Sequence, residues 1–78
     1  MEIKVIGMGC ESCDALYAHT MEAVEHLKLD AEIVKVEDLV EIVRLGVMSA
    51  PALMADGKLL AAGRVPETKE IEKLLSHR

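Results

Sequence analysis

Gly7-Met8-Gly9-Cys10-Glu11-Ser12-Cys13 is the stretch on which the reading of this chain turns. It contains both cysteines of the 78-residue sequence, two residues apart, between an apolar β-branched run and a helical pattern. A helix beginning at Ser12 or Cys13 points its unpaired backbone N–H groups at the first thiol. The positive end of its dipole then favours thiolate over thiol there. The second thiol, one turn in, is within reach to close a small disulfide ring. The same residues also read as Met-x-Cys-x-x-Cys, a loop of soft metal ligands. Two chemistries therefore compete for one motif.

The sequence on either side narrows the choice. Glu2–Ile6 alternates Ile3 and Val5 with Glu2 and Lys4 and reads as a strand ending at Gly7. Gly7 and Gly9 give the loop around Cys10 access to unusual backbone angles. From Ser12 to about Lys28 the period becomes helical, with Cys13, Leu16, Tyr17, Thr20, Val24 and Leu27 on one face. Ser12 is the expected N-cap and Asp14 suits the first turn. Ala31–Val36 is a second strand, so the first three elements make a right-handed βαβ unit.

Asp38-Leu39-Val40-Glu41 has the form of a capping box and opens a short helix. Leu39, Ile42 and Val43 are expected inward, and Gly46 is placed to end the helix. Pro51 precedes an apolar strand, Asp56-Gly57 is a hairpin signal between Ala52–Ala55 and Lys58–Ala62, and Gly63 breaks the last strand. Pro66 is expected at the first position of a closing helix whose stripe is Ile71, Leu74 and Leu75. The order is β-α-β-α-β-β-α.

Composition sets the limits. A chain of this length is one domain, spanning residues 1–78, with a thin core made of aliphatic side chains, since Phe and Trp are absent and Tyr17 is alone. A net charge of −5, with basic residues scattered among acidic ones, argues against nucleic acid as a partner. No apolar run approaches the ~20 residues of a membrane helix, and no basic head with an apolar segment opens the chain. The expectation is a soluble, cytoplasmic monomer that does not engage a membrane. In that compartment a Cys-x-x-Cys pair points to redox or metal chemistry rather than a structural disulfide.

Taken together, Gly7–Cys13, Gly46–Leu53, Asp56-Gly57 and Gly63–Pro66 resemble the small, glutaredoxin-sized thioredoxin-like redox proteins. Their pattern runs Gly-x-Gly-Cys-x-x-Cys, Gly-Val-x-x-x-Pro-x-Leu, Asp-Gly, Gly-x-Val-Pro, and the match covers almost the whole chain. The resemblance implies an α/β fold with three α/β/α layers and a four-stranded mixed sheet in the order 2-1-3-4, the third strand antiparallel to the first. It implies that Pro51 is cis and lies against the cysteines, and that the backbone of Ala50 pairs with a bound substrate strand. In such a fold Gly9 and Met48 flank the same surface, Met48 together with Met8 offering an adaptable apolar contact.

On this reading the activity is thiol–disulfide exchange: Cys10 attacks a partner disulfide and Cys13 resolves the mixed disulfide. The protein would carry electrons reductively to protein disulfides from a thiol or flavin reductase, with no cofactor beyond the Cys10–Cys13 disulfide. Glu11 and Asp14 oppose thiolate formation, with no Lys, Arg or His adjacent in sequence to offset them. Glu11-Ser12 between the cysteines departs from the Gly-Pro of thioredoxin and the Pro-Tyr common in glutaredoxin.

The alternative resembles the heavy-metal-associated, copper-chaperone domain, in which two thiolates hold Cu(I). That fold requires β-α-β-β-α-β, whereas here a capped helix follows Val36 and a helix closes the chain. A structural zinc site needs four ligands. His19 and His26 fall roughly opposite Cys13 on the helical wheel and His77 is in the tail, so the histidines are read as solvated surface side chains, and no metal site is assigned.

Overall fold

A computed structural model of the chain describes residues 1–7 and 11–76. Met8, Gly9, Cys10 and His77, all singled out above, lie outside the described residues. The elements are β1 (Glu2–Ile6), α1 (Glu11–Leu27), β2 (Glu32–Val36), α2 (Leu39–Arg44), β3 (Ala52–Ala55), β4 (Lys58–Ala62) and α3 (Thr68–Ser76). The four strands form one sheet in the order β2-β1-β3-β4. β1 is parallel to β2, from Glu2↔Glu32 to Ile6↔Val36, and antiparallel to β3, from Ile3↔Ala55 to Ile6↔Ala52.

The period of two along β1 divides the core between the faces of the sheet. Ile3 and Val5 point to the side covered by α1 and α3, where they meet Leu16, Ala23, Leu53, Ile71 and Leu75. Ile6 points to the other side and packs with Val36, Ile42 of α2, Val47 and Met54. All four residues of β3 are buried, as befits an inner strand with both faces covered. One helix covers one face and two cover the other, the arrangement that the resemblance implies.

The Asp56-Gly57 turn takes positive φ at both residues, 49° and 84°, as a two-residue hairpin requires. Asp56 also ties the turn to β1: its N–H donates to the Glu2 carbonyl, and its Oδ1 accepts from the Glu2 N–H, both at 2.8 Å. Asp38 caps α2 as expected, its Oδ1 accepting from the Val40 N–H at 3.2 Å. Two helices close in the same way. At α2, Gly46 (φ 78°) donates to the Val43 carbonyl and Val47 to that of Ile42. At α1, Lys28 (φ 52°) donates to Glu25 and Leu29 to Val24, so a lysine holds the left-handed position that favours glycine.

Four local expectations change. α1 already includes Glu11, so Ser12 lies inside its first turn and is not the N-cap. Pro66 is buried two residues ahead of α3, which begins at Thr68. The Glu67 carbonyl accepts the Ile71 N–H, so the helix takes up its hydrogen bonding one residue after the proline. Within α2 only Ile42 is buried; Leu39 and Val43 face outward, because so short a helix can seat little of its surface on the sheet.

Candidate functional site

The site forms where β1 ends and α1 begins. Gly7 continues β1's parallel pairing by one residue, its N–H donating to the Val36 carbonyl at 3.0 Å. It is buried, and its backbone requires no positive φ. What it supplies is space. A Cβ built at Gly7 would overlap the sulfur of Cys13 and lie 3.9 Å from Cα of Pro51. The glycine therefore lets the first turn of α1, the end of β1 and the proline segment ahead of β3 meet at one point.

Cys13 is buried at 5% exposure on the inner side of α1. Its place in the first turn puts it where the helix dipole and unpaired N–H groups favour negative charge. The Ala50–Pro51 peptide bond is cis. Pro51 is buried, and its carbonyl accepts the Gly63 N–H at 2.9 Å, which fixes the segment to the end of β4. Ahead of it the chain is open: Ser49 and Ala50 are exposed, and Met48 is 97% exposed. Cys10 and Gly9 lie outside the described residues; in sequence Cys10 immediately precedes Glu11, the first residue of α1.

Two features escaped the sequence reading. The carboxylate of Asp14 is paired: Lys35 Nζ on β2 lies 3.1 Å from Asp14 Oδ1 and 4.8 Å from the centroid of the Tyr17 ring. The hydrogen bond that Lys35 donates to Asp14, helped by the charges of Asp14 and Glu37, raises the pKa of Lys35. Lys35 is distant from Asp14 in sequence but stands opposite Val5 in the parallel register, on the α1 side of the sheet. Its place between Val34 and Val36 in β2 was the available signal. The second feature is His19, half-buried, whose Nδ1–H donates to the Pro66 carbonyl at 3.1 Å. It joins α1 to the segment before α3 and is not simply a solvated side chain.

Comparison with known proteins agrees with this geometry. The family model described as a thioredoxin domain matches residues 1–76. A curated relative named thioredoxin, from Methanothermobacter thermautotrophicus, is 40% identical over 76 residues, covering 97% of this chain and 99% of that protein. A second thioredoxin, from Methanocaldococcus jannaschii, is 38% identical over 73 residues, 94% of this chain and 84% of the other.

The chain belongs to the thioredoxin family. Membership places it among the protein disulfide oxidoreductases, and the thioredoxin sheet order is the one observed. The β-α-β-β-α-β order of the heavy-metal-associated domain is not the order of this chain, which has α2 after β2 and closes with α3. No described helix is long and apolar enough to cross a membrane.

Proposed function

We propose that the protein is a reductive electron carrier that exchanges disulfides through Cys10 and Cys13. The Cys10 thiolate attacks one sulfur of a partner disulfide; a Cys10–partner bond forms, and the other partner sulfur leaves as a thiolate that takes up a proton. Cys13 then loses its proton and attacks the Cys10 sulfur. The Cys10–Cys13 bond forms and the second partner sulfur departs as a thiol. The partner gains two electrons and two protons, and a thiol or flavin reductase restores the dithiol.

The observation that carries this reading is the meeting of Cys13, Gly7 and the cis Ala50–Pro51 bond at the end of β1, in a chain of the thioredoxin family. A buried Cys13 suits a resolving role, since it is shielded from external disulfides and placed one turn into the helix that Cys10 precedes. Pairing of Lys35 with Asp14 removes part of the local opposition to a thiolate. The exposed Ala50 is then the edge on which a substrate strand pairs, with Met48 close by in the same exposed segment. The reducing direction follows the name of the relatives, since thioredoxin couples lie near about −270 mV, below glutaredoxins and disulfide isomerases.

Equilibration with a graded thiol buffer, followed by trapping of free thiols, tests the reading. A reversible two-electron midpoint between about −180 and −300 mV is expected. With a disulfide-bonded protein such as insulin, Cys13→Ser should accumulate a mixed disulfide and Cys10→Ser should form none. Failure to close the intramolecular disulfide under mild oxidation would sink the mechanism and make Cu(I) affinity the next assay.

A further inference from the structure

The segment between β4 and α3 is pinned to three different elements. At its start the Gly63 N–H donates to the Pro51 carbonyl at 2.9 Å, and Gly63 lies against Ser49, which any side chain there would crowd. In its middle the Arg64 guanidinium meets the Glu70 carboxylate of α3 at 2.6 Å. At its end Pro66 is buried, and its carbonyl accepts from the half-buried His19 of α1 at 3.1 Å. A carbonyl can only accept, so the ring nitrogen facing it carries a proton. Only Arg64 and Val65 separate Gly63 from Pro66, and Val65 packs against the core. So short a segment has little slack, and a hold on one end is felt at the other.

We infer that His19 is a positioning residue for disulfide exchange: through Pro66 and Gly63 it holds the Ala50–Pro51 segment where a substrate strand pairs. The inference rests on the exchange reading above and adds to it the means by which the two sides of the site stay in register. α1 carries Cys13 in its first turn, and the same helix reaches round through His19 to the segment that fixes the Pro51 carbonyl. Thiol and strand-pairing edge are thus held from one helix. The Arg64–Glu70 pair is a second strut, exposed and therefore open to screening by salt. A histidine that only satisfied a buried carbonyl would alter stability alone; a brace alters the proline segment first.

Amide exchange read by NMR separates the two. The Gly63 N–H is the local gauge, and the Asp56 N–H, which donates to the Glu2 carbonyl at the other end of β3, is the control. His19→Leu keeps bulk and loses the donor, whereas His19→Asn places an amide N–H near the position of Nδ1. His19→Leu should speed exchange at Gly63 about fivefold relative to Asp56, the loss of one hydrogen bond felt locally. It should also lower the rate of reduced protein with insulin about threefold, at an unchanged rate with hydroxyethyl disulfide, which has no strand to align. His19→Asn should restore both. Glu70→Gln, a surface change, should speed exchange at Gly63 at low salt, the difference from wild type vanishing as salt is added.

Equal acceleration of both amides, or equal loss on both disulfides, would reduce His19 to a stability role and overturn the inference, with the exchange reading left standing. Should His19→Leu not fold, an unchanged Gly63 amide in Glu70→Gln at low salt would overturn the brace by itself. A protein that reduces neither disulfide, yet shows the local effect at Gly63, would overturn the exchange reading and with it the positioning role.

Discussion

The sulfur of Cys13 lies over Gly7, in the space that a side chain at Gly7 would need. The glycine is thus set by packing against a thiol rather than by backbone conformation, and the neighbour in the way is a buried atom with little room to withdraw. Gly7→Ala should lower the unfolding free energy by about 1–3 kcal/mol, the usual range for overpacking. Removing the sulfur should return much of that loss. Urea unfolding of Gly7→Ala, Cys13→Ala and the double variant would measure the coupling, and strictly additive losses would show that the two sites do not meet.

Leu53 on β3 is fully buried in the core cluster that also holds Leu16 of α1 and Ile71 of α3. With no Phe or Trp in the chain, aliphatic contacts of this kind are what hold both helices to that face. Leu53→Ala should cost about 2–5 kcal/mol, the range for a buried leucine truncated in a packed core. Leu59→Ala on β4, where the side chain is 50% exposed, should cost far less by the same denaturant titration.

The fold was legible because local signals and long-range order agreed. The β1 alternation, the βαβ unit, the Asp38 cap and the Asp56-Gly57 turn are each short-range statements that give the element order, and the resemblance to the thioredoxin-like proteins implied the sheet order. The α2 side chains were misread because helical periodicity says which residues share a face, not how much of that face a neighbouring sheet will cover, and Pro66 because a proline's preference for a helix start does not fix which residue is the first. Lys35 and His19 were missed because their partners, Asp14 and the Pro66 carbonyl, are distant in sequence and adjacent only after the sheet and helices pack. Gly7 was assigned the right place for the wrong reason, since a close approach leaves no trace in composition.

The two similarly closed helices allow an internal comparison. Gly46 and Lys28 hold equivalent positions after α2 and α1, with φ of 78° and 52° and the same two backbone hydrogen bonds. A side chain in that conformation crowds the following carbonyl, whereas glycine does not. Lys28→Gly should therefore stabilise the protein by about 0.5–1 kcal/mol, part of the relief being offset by the greater freedom of glycine in the unfolded chain. Lys28 is exposed and no ion pair is recorded for it among the described residues, which keeps the comparison clean. A midpoint in urea that falls rather than rises would show that the lysine makes a contact worth more than the strain.

His26 near the end of α1 faces Glu72 of α3, with Nδ1 3.1 Å from Oε2. The hydrogen bond to Glu72 raises the imidazole pKa above 6.5; desolvation opposes this, and the charges of Glu72, Glu22 and Glu25 add to it. A group whose pKa is raised by folding binds its proton more tightly in the folded state, so it stabilises when protonated in both states. That contribution is complete below about pH 6.5 and is lost as pH rises through the raised folded value. The imidazole is exposed, so the effect is small and sensitive to salt. The melting temperature of wild type minus that of His26→Gln should be larger at pH 5.5 than at pH 8.5, and added salt should shrink the difference. A difference that is flat with pH would mean that the pair joins α1 to α3 by packing alone and that its charge contributes nothing.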